Sequence, residues 1–166
     1  MTLPATGPIS MSQVSVELGL ASNYPMSLDH SWLRALAQVG GAGTNVSISS
    51  LHGKGATWNG PTTTTSTGGP NPSYTVSFSP LAPFFGGALS TYQGDPIGPC
   101  YVFSTYATSG GALPNWPGNI RITNQSTGQS VIATPYGSPA GYGWTHSGGM
   151  IMRAGATADI FLVTPA

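Results

Sequence analysis

The chain has 166 residues, only 5% of them Asp, Glu, Lys or Arg, and its formal net charge is zero. A usual soluble domain carries about a quarter charged residues. Here the four basic ones, Arg34, Lys54, Arg121 and Arg153, are scattered, so no stripe exists to neutralise a run of phosphates, and nucleic acid is not an expected partner. No stretch approaches the roughly 20 apolar residues of a spanning helix, and Met1 to Ser10 lacks the basic start and apolar core of a signal peptide, so membrane insertion is not expected.

The apolar share is 39%, including 4 Trp, 7 Tyr and 5 Phe, which is enough to form a core and argues against wholesale disorder. Ser, Thr, Asn, Gln and Gly supply the polar content. Such an uncharged surface has little colloidal repulsion and favours close packing in a large assembly. Cys100 is the single cysteine, so no intrachain disulfide forms. Between Pro99 and Tyr101-Val102-Phe103 it reads as a small buried hydrophobe.

Residues 1–55 read as a small helical module of three similar pieces, each entered from an extended stretch and a capping residue. In the first, Ser12 is the expected N-cap, Met11 and Val16 stand at staple spacing, Met11, Val14 and Leu18 recur at helical spacing, and Gly19 stops the helix. In the second, Asp29 is the expected cap, Leu28 staples to Leu33, and Leu33, Leu36 and Ala37 form the buried stripe ahead of Gly40, Gly41 and Gly43. The third, Val46 to Lys54, has room for one turn before Gly53. The spacing predicts helices near 13–18 and 30–38 and a turn near 50. Helices this short need other partners to persist.

Residues 56–72, rich in Gly, Pro and Thr, read as a linker in which Trp58 is the residue most suited to docking. Over 73–166 the signals are β. Tyr74, Val76 and Phe78 alternate with polar residues, as do Ile120 and Ile122, and Asn124 to Gln129 reads as a hairpin connection into Val131-Ile132. Tyr101 and Phe103 share one parity, Tyr142, Trp144 and His146 another set, and Met150 to Arg153 alternates weakly. The last strand sets Ala158, Ile160 and Leu162 against Asp159, Phe161 and Val163. Leu81 to Pro99 is ambiguous, with Ala82 to Gly87 a possible apolar plug. The fold class this predicts is mainly β: an antiparallel β-sandwich, jelly-roll-like or Ig-like, preceded by the helical module.

Chemistry is sparse. His30, His52 and His146 are far apart in sequence and outside any metal-ligand frame, so neither a metal nor a cofactor is expected. The acids are Glu17, Asp29, Asp95 and Asp159, and no Gly-x-Ser-x-Gly elbow occurs, so no catalytic residue is assigned and an enzyme is not expected. Trp116, Tyr136, Tyr142 and Trp144 lie among Gly, Pro and Asn residues. Exposed together they would stack on sugar rings or on another protein; buried, they are core.

The run Gly7-Pro8-Ile9-Ser10-Met11-Ser12-Gln13-Val14, then Glu17-Leu18-Gly19, followed by Met26-Ser27-Leu28-Asp29 and by Ile48-Ser49-Ser50-Leu51-His52-Gly53-Lys54, resembles the opening of many tailed-bacteriophage virion proteins. The resemblance covers about the first 55 residues. It departs from the pattern at Leu20 to Tyr24, where a charged segment is usual, and at His52, where an aromatic is usual. It implies a non-enzymatic structural component of the virion, tail tip, baseplate or fibre associated. Its N-terminal module would attach to the particle through Ile9, Met11, Val14, Leu18, Leu28, Leu33 and Leu36. Its β region would project or contact the host surface, with Trp58, Trp116, Tyr136, Tyr142 and Trp144 as candidate interface or glycan contacts. Other virion proteins, further copies of the chain (a trimer favoured) and a host-surface glycan or envelope protein are the partners this implies. The alternatives are a capsid decoration protein and, further off, a small cell-wall hydrolase.

Overall fold

A computed structural model of the chain describes residues 2–37, 46–56, 58–66, 74–78, 83–94, 96, 98–104, 114, 116–138, 141–153 and 159–166. The glycine turn expected after residue 38, together with Asp95, Thr105 and Ala158, lies outside these residues, as do the side chains of Trp58 and Tyr142.

The first helix, α1 (Met11–Glu17), starts two residues earlier than expected, because Ser10 and not Ser12 is its cap. Ser10 Oγ accepts the Gln13 N–H at 3.2 Å, and Gln13 Oε1 accepts the Ser10 N–H at 2.8 Å. Two orphan amides are thus satisfied reciprocally, as a capping box. This register puts Ile9 at N′ and Val14 at N4, the staple positions. Gly19 does stop the helix: at φ 74° it takes the left-handed C′ conformation, its N–H donating to Val16 O at 3.0 Å and that of Leu20 to Ser15 O at 2.9 Å.

The second helix, α2 (Ser31–Ala37), is capped by His30, not Asp29. The His30 carbonyl accepts the Arg34 N–H at 3.0 Å, and its Nδ1 accepts the Trp32 N–H at 3.3 Å. Asp29 instead pairs with Arg34 at 2.9 Å from an exposed position. The third piece is a 3-10 turn, Ile48–Leu51, with Ser47 as its cap. Val14, Leu18, Leu33, Leu36 and Leu51 all belong to one buried cluster with Ile120 and Val163 of the sheet and with Phe85 and Trp116 of the connecting segments.

The strands are β1 (Trp58–Ser66), β2 (Tyr74–Phe78), β3 (Pro83–Phe84), β4 (Gly87–Gly94), β5 (Cys100–Ser104), β6 (Ile120–Asn124), β7 (Gln129–Ser138), β8 (Gly141–His146) and β9 (Ile160–Pro165). They form a curled antiparallel sheet in the order β2-β1-β9-β6-β7-β8-β5-β4-β3, and β2 also pairs with β4. The mainly-β expectation, with a small helical module ahead of it, holds at this level.

Two strands turn the corners of the curl. β1 pairs with β9 over Trp58 to Pro61 and with β2 over Thr62 to Ser66. β7 pairs with β6 over Gln129 to Ala133 and with β8 over Thr134 to Ser138. Strands that pass from one set of neighbours to another make corners of this kind. The residues expected as linker therefore include a strand: Thr-rich sequence is β-branched and suits a ladder as well as a loop.

Elsewhere the alternation reads through. In β6, Ile120, Ile122 and Asn124 are buried, and Arg121 and Thr123 face outward. In β9, Phe161 and Val163 are buried, and Ile160 is exposed. Met150 to Arg153 is not a strand; Ile151 and Met152 are buried in a connecting segment. The ambiguous stretch from Leu81 contains β3, β4 and a two-residue hairpin turn, Phe85-Gly86, both at positive φ.

Gly19 carries two constraints at once. Besides its left-handed backbone, a Cβ there would stand 3.1 Å from Thr164 Cβ on β9. Gly19→Ala is expected to cost about 1–2 kcal/mol from the backbone alone, seen as a lower urea midpoint at unchanged m-value. An unchanged midpoint would show that the helix end does not hold this conformation against β9.

Candidate functional site

The expected aromatic patch does not assemble on the surface. Trp144 is 0% and Trp116 3% exposed. Each satisfies its indole N–H internally: Trp144 Nε1 donates to Gly118 O at 2.9 Å and Trp116 Nε1 to Asn119 O at 2.8 Å. A Cβ at Gly118 would lie 2.7 Å from the Trp116 ring, so the backbone closes directly over it. These two are core and cannot stack on an external ring. Tyr136 is exposed at 38%.

The attachment set is corrected in the same way. Val14, Leu18, Leu33 and Leu36 are wholly buried in the chain's own cluster, and Ile9 and Met11 pack partly against it. Helices this short must spend their apolar faces on the sheet. Leu28, at 43% exposed, is left outside, and Val16 and Tyr24 are exposed as well.

On the outer face of β5, β8 and β7 a different arrangement forms. Tyr101 lies opposite Thr145, and Thr145 opposite Thr134. Tyr136, two residues further along β7, brings its ring centroid to 5.3 Å from that of Tyr101. At the other end of this row β8 finishes at His146 while β7 crosses to β6, and the corner leaves a gap. It is an open pocket of about 330 Å³, lined by Val131, Ile132, Thr134, Thr145, His146 and the Ser147-Gly148 turn. Among the described residues no charged side chain lines it. Thr134 Oγ1 donates to Thr145 O at 3.4 Å, and Thr145 Oγ1 to Cys100 O at 2.9 Å, which leaves hydroxyl lone pairs free to accept.

His146 joins this pocket to the core. It is 8% exposed, lies opposite Cys100 in the ladder, and its Nε2 is 2.8 Å from the Tyr92 hydroxyl. Its Nδ1 is buried without a hydrogen-bond partner among the described residues. Burial lowers the His146 pKa below its ordinary value. Burial first, then the neighbouring Cys100 thiol, raises that of Tyr92. The sequence hinted at His146 through its alternation with Trp144. Tyr92 was hidden in the ambiguous stretch, and Tyr101 gave no signal beyond strand parity.

The acids among the described residues are engaged in the fold. Glu17 Oε1 accepts the Ala56 N–H at 2.9 Å. Asp159, buried, accepts from Asn124 Nδ2 at 2.8 Å and from Arg153 Nε at 2.7 Å, with a further contact to Arg153 NH2. Asn124 also donates to Ile151 O at 2.9 Å, so the cluster fastens the segment before β9 to the end of β6. Burial by itself would raise the Asp159 pKa, but hydrogen bonds from Arg153 and Asn124 outweigh it and hold the carboxyl below its ordinary value.

No protein-family model, curated protein or solved structure matches this chain.

Both shifts favour the folded state at higher pH. His146 is kept neutral in the fold, so its contribution is fully present above its ordinary pKa of 6.5 and falls away as pH drops towards the lowered value. Asp159 is kept ionised, so its contribution is present above 3.8 and lost as pH falls through its own lowered value. Urea midpoints measured from neutral to acid pH are expected to fall in two separate windows. His146→Gln should remove the first, and Asp159→Asn the second. A wild-type midpoint flat from neutral pH down to 4.5 would contradict the burial of a neutral His146.

Proposed function

We propose that this chain is a structural component of a bacteriophage virion, tail tip, baseplate or fibre associated, whose curled sheet contacts the host surface. The observation that carries the reading is the ordered set of three N-terminal pieces, Ile9 to Gly19, Met26 to Asp29 and Ile48 to Lys54. The uncharged polar surface supports it, since such a surface tolerates dense packing against neighbours. The side chains that would meet other virion proteins are the apolar ones the module's own core leaves uncovered, Val16, Tyr24 and Leu28. On this reading the chain is present in repeated copies, as a trimer, and is not an enzyme.

The finer fold class belongs to the same proposal. The curl is a sandwich-like arrangement, in the jelly-roll-like or Ig-like manner, in which β1 and β7 are shared between two layers. The contact with the host is the outer face carrying Tyr101 and Tyr136, without the buried Trp116 and Trp144.

Purified particles probed with an antibody to this chain, by immunogold labelling and mass spectrometry, test the proposal. Label confined to the tail in stoichiometric copies is the expected result. Label over the capsid would make it a decoration protein. Absence from washed particles would reject a structural role.

A further inference from the structure

We propose that a neutral oligosaccharide binds across the strands on the outer face of the sheet, with one ring seated on Tyr101 and Tyr136 and its hydroxyls meeting the row Thr75, Gln93, Tyr101, Thr145 and Thr134. The proposal rests on the host-contact reading above and names the chemistry of the ligand.

The row follows from register. Thr75 stands opposite Gln93, Gln93 opposite Tyr101, Tyr101 opposite Thr145, and Thr145 opposite Thr134. Directly opposed residues share a face, so these five form one line across β2, β4, β5, β8 and β7. The face is the outer one. The neighbours of the row's members along each strand point the other way, and among them Val76, Tyr92, Val102, Trp144 and Ala133 are wholly buried. With strands about 4.8 Å apart, the line is roughly 19 Å long, which suits an extended chain of rings better than a single one.

Every member of the row is a hydrogen-bonding side chain, and none is charged. Thr145 Oγ1 donates to Cys100 O at 2.9 Å and Thr134 Oγ1 to Thr145 O at 3.4 Å. Each hydroxyl has thus used its proton internally and presents a lone pair to a ligand O–H. The Gln93 amide is a group that both donates and accepts. A phosphate or a basic peptide would find no opposite charge along this line, whereas a polyhydroxyl chain needs none.

The aromatic seat comes from two tyrosines that meet above β8. Tyr101 is on β5 and Tyr136 on β7, so β8 separates their backbones by about 10 Å, yet the ring centroids are 5.3 Å apart. Gly143 of β8, directly opposite Tyr136, has no side chain to hold the rings apart. The ring planes are inclined at 57°, so neither covers the other's face, and Tyr136 stays 38% exposed. Such a face takes the C–H side of a pyranose, while the phenol hydroxyls remain at the rim. A protein interface centres on an apolar, desolvated core, and here hydroxyls and an amide stand on both sides of Tyr101.

The test is an ¹H–¹⁵N titration of the full chain with glucose, galactose, mannose, rhamnose and N-acetylglucosamine, each as the monosaccharide and as short oligomers, up to millimolar concentration. The expected result is a saturable shift at Gln93, Tyr101, Thr145, Thr134 and Tyr136 with oligomers of at least one of these sugars. Longer oligomers should bind more tightly and extend the shifts to Thr75. Phosphate and sulfate should produce none.

Tyr136→Ala should weaken binding about tenfold, and Tyr136→Phe, which keeps the ring, should restore it. Thr134→Lys, at an exposed position, is the second variant: it places a long charged side chain in the row and should weaken binding several-fold with the fold intact. No saturable shift with any of these sugars would overturn the proposal and leave the face to a protein partner. Shifts confined to another face, a monosaccharide bound as tightly as its longest oligomer, or full affinity in a folded Tyr136→Ala would overturn it as well. The outcome is separable from the virion reading. A chain found in particles but indifferent to sugars loses only the saccharide row. A chain that binds sugar yet is absent from particles loses only the virion assignment.

Discussion

A column of aromatic rings joins the helical module to the sheet, and the rest of the structure depends on it. Trp32, on α2, meets Trp116 edge to face at 5.0 Å, and Trp116 stacks on Phe85 at 4.8 Å. Phe85 meets Phe84 at 5.1 Å, and Phe84 meets Trp144 of β8 at 5.8 Å. Each such pair adds about 0.5–1.5 kcal/mol beyond the area it buries. Seven-residue helices have no stability of their own to draw on, so the module is ordered by what it packs against.

The column also explains a backbone strain. Successive strand residues point to opposite faces, yet Phe84 and Phe85 are both wholly buried. The turn achieves this with Phe85 at φ 46°, a region costly for a bulky residue. The Phe85 N–H donates to Gly55 O at 2.6 Å, which ties the turn to the end of the module. Burial of two rings and that hydrogen bond offset the strain. The apolar run that reads as a plug in the sequence is thus a hairpin turn at the junction of the two parts.

Much of the strand content was legible because one-sided burial enforces a period of two. The rows Tyr74-Val76-Phe78 and Ile120-Ile122, the hairpin after Asn124 and the last strand all follow from it. The helices were legible from apolar spacing, and Gly19 from its place after Leu18. The caps were misassigned because a serine repeat offers several hydroxyls at neighbouring positions, and only the reciprocal Gln13 contact selects Ser10. Asp29 lost the cap to His30 because Arg34, one turn along, draws it away. The strand over 58–66 was hidden by Gly, Pro and Thr, whose strand role depends on neighbours far away in sequence. The burial of Trp116 and Trp144 was illegible for the same reason: alternation shows which residues share a face, and tertiary packing decides which face is dry. The corner pocket has no sequence signature at all, since it exists only because β7 changes partners where β8 ends.

The account's centre is that module and sheet form one cooperative core through the aromatic column. Native-state amide hydrogen exchange, resolved by residue, tests this most directly. The amides of Leu18 on the module and of Ile122 on β6 are expected to exchange with the same free energy of opening and the same denaturant dependence, as members of one unit. If the α1 and α2 amides instead exchange through a separate, much lower-energy opening that leaves the sheet protected, the column does not couple the two parts, and the central claim is wrong.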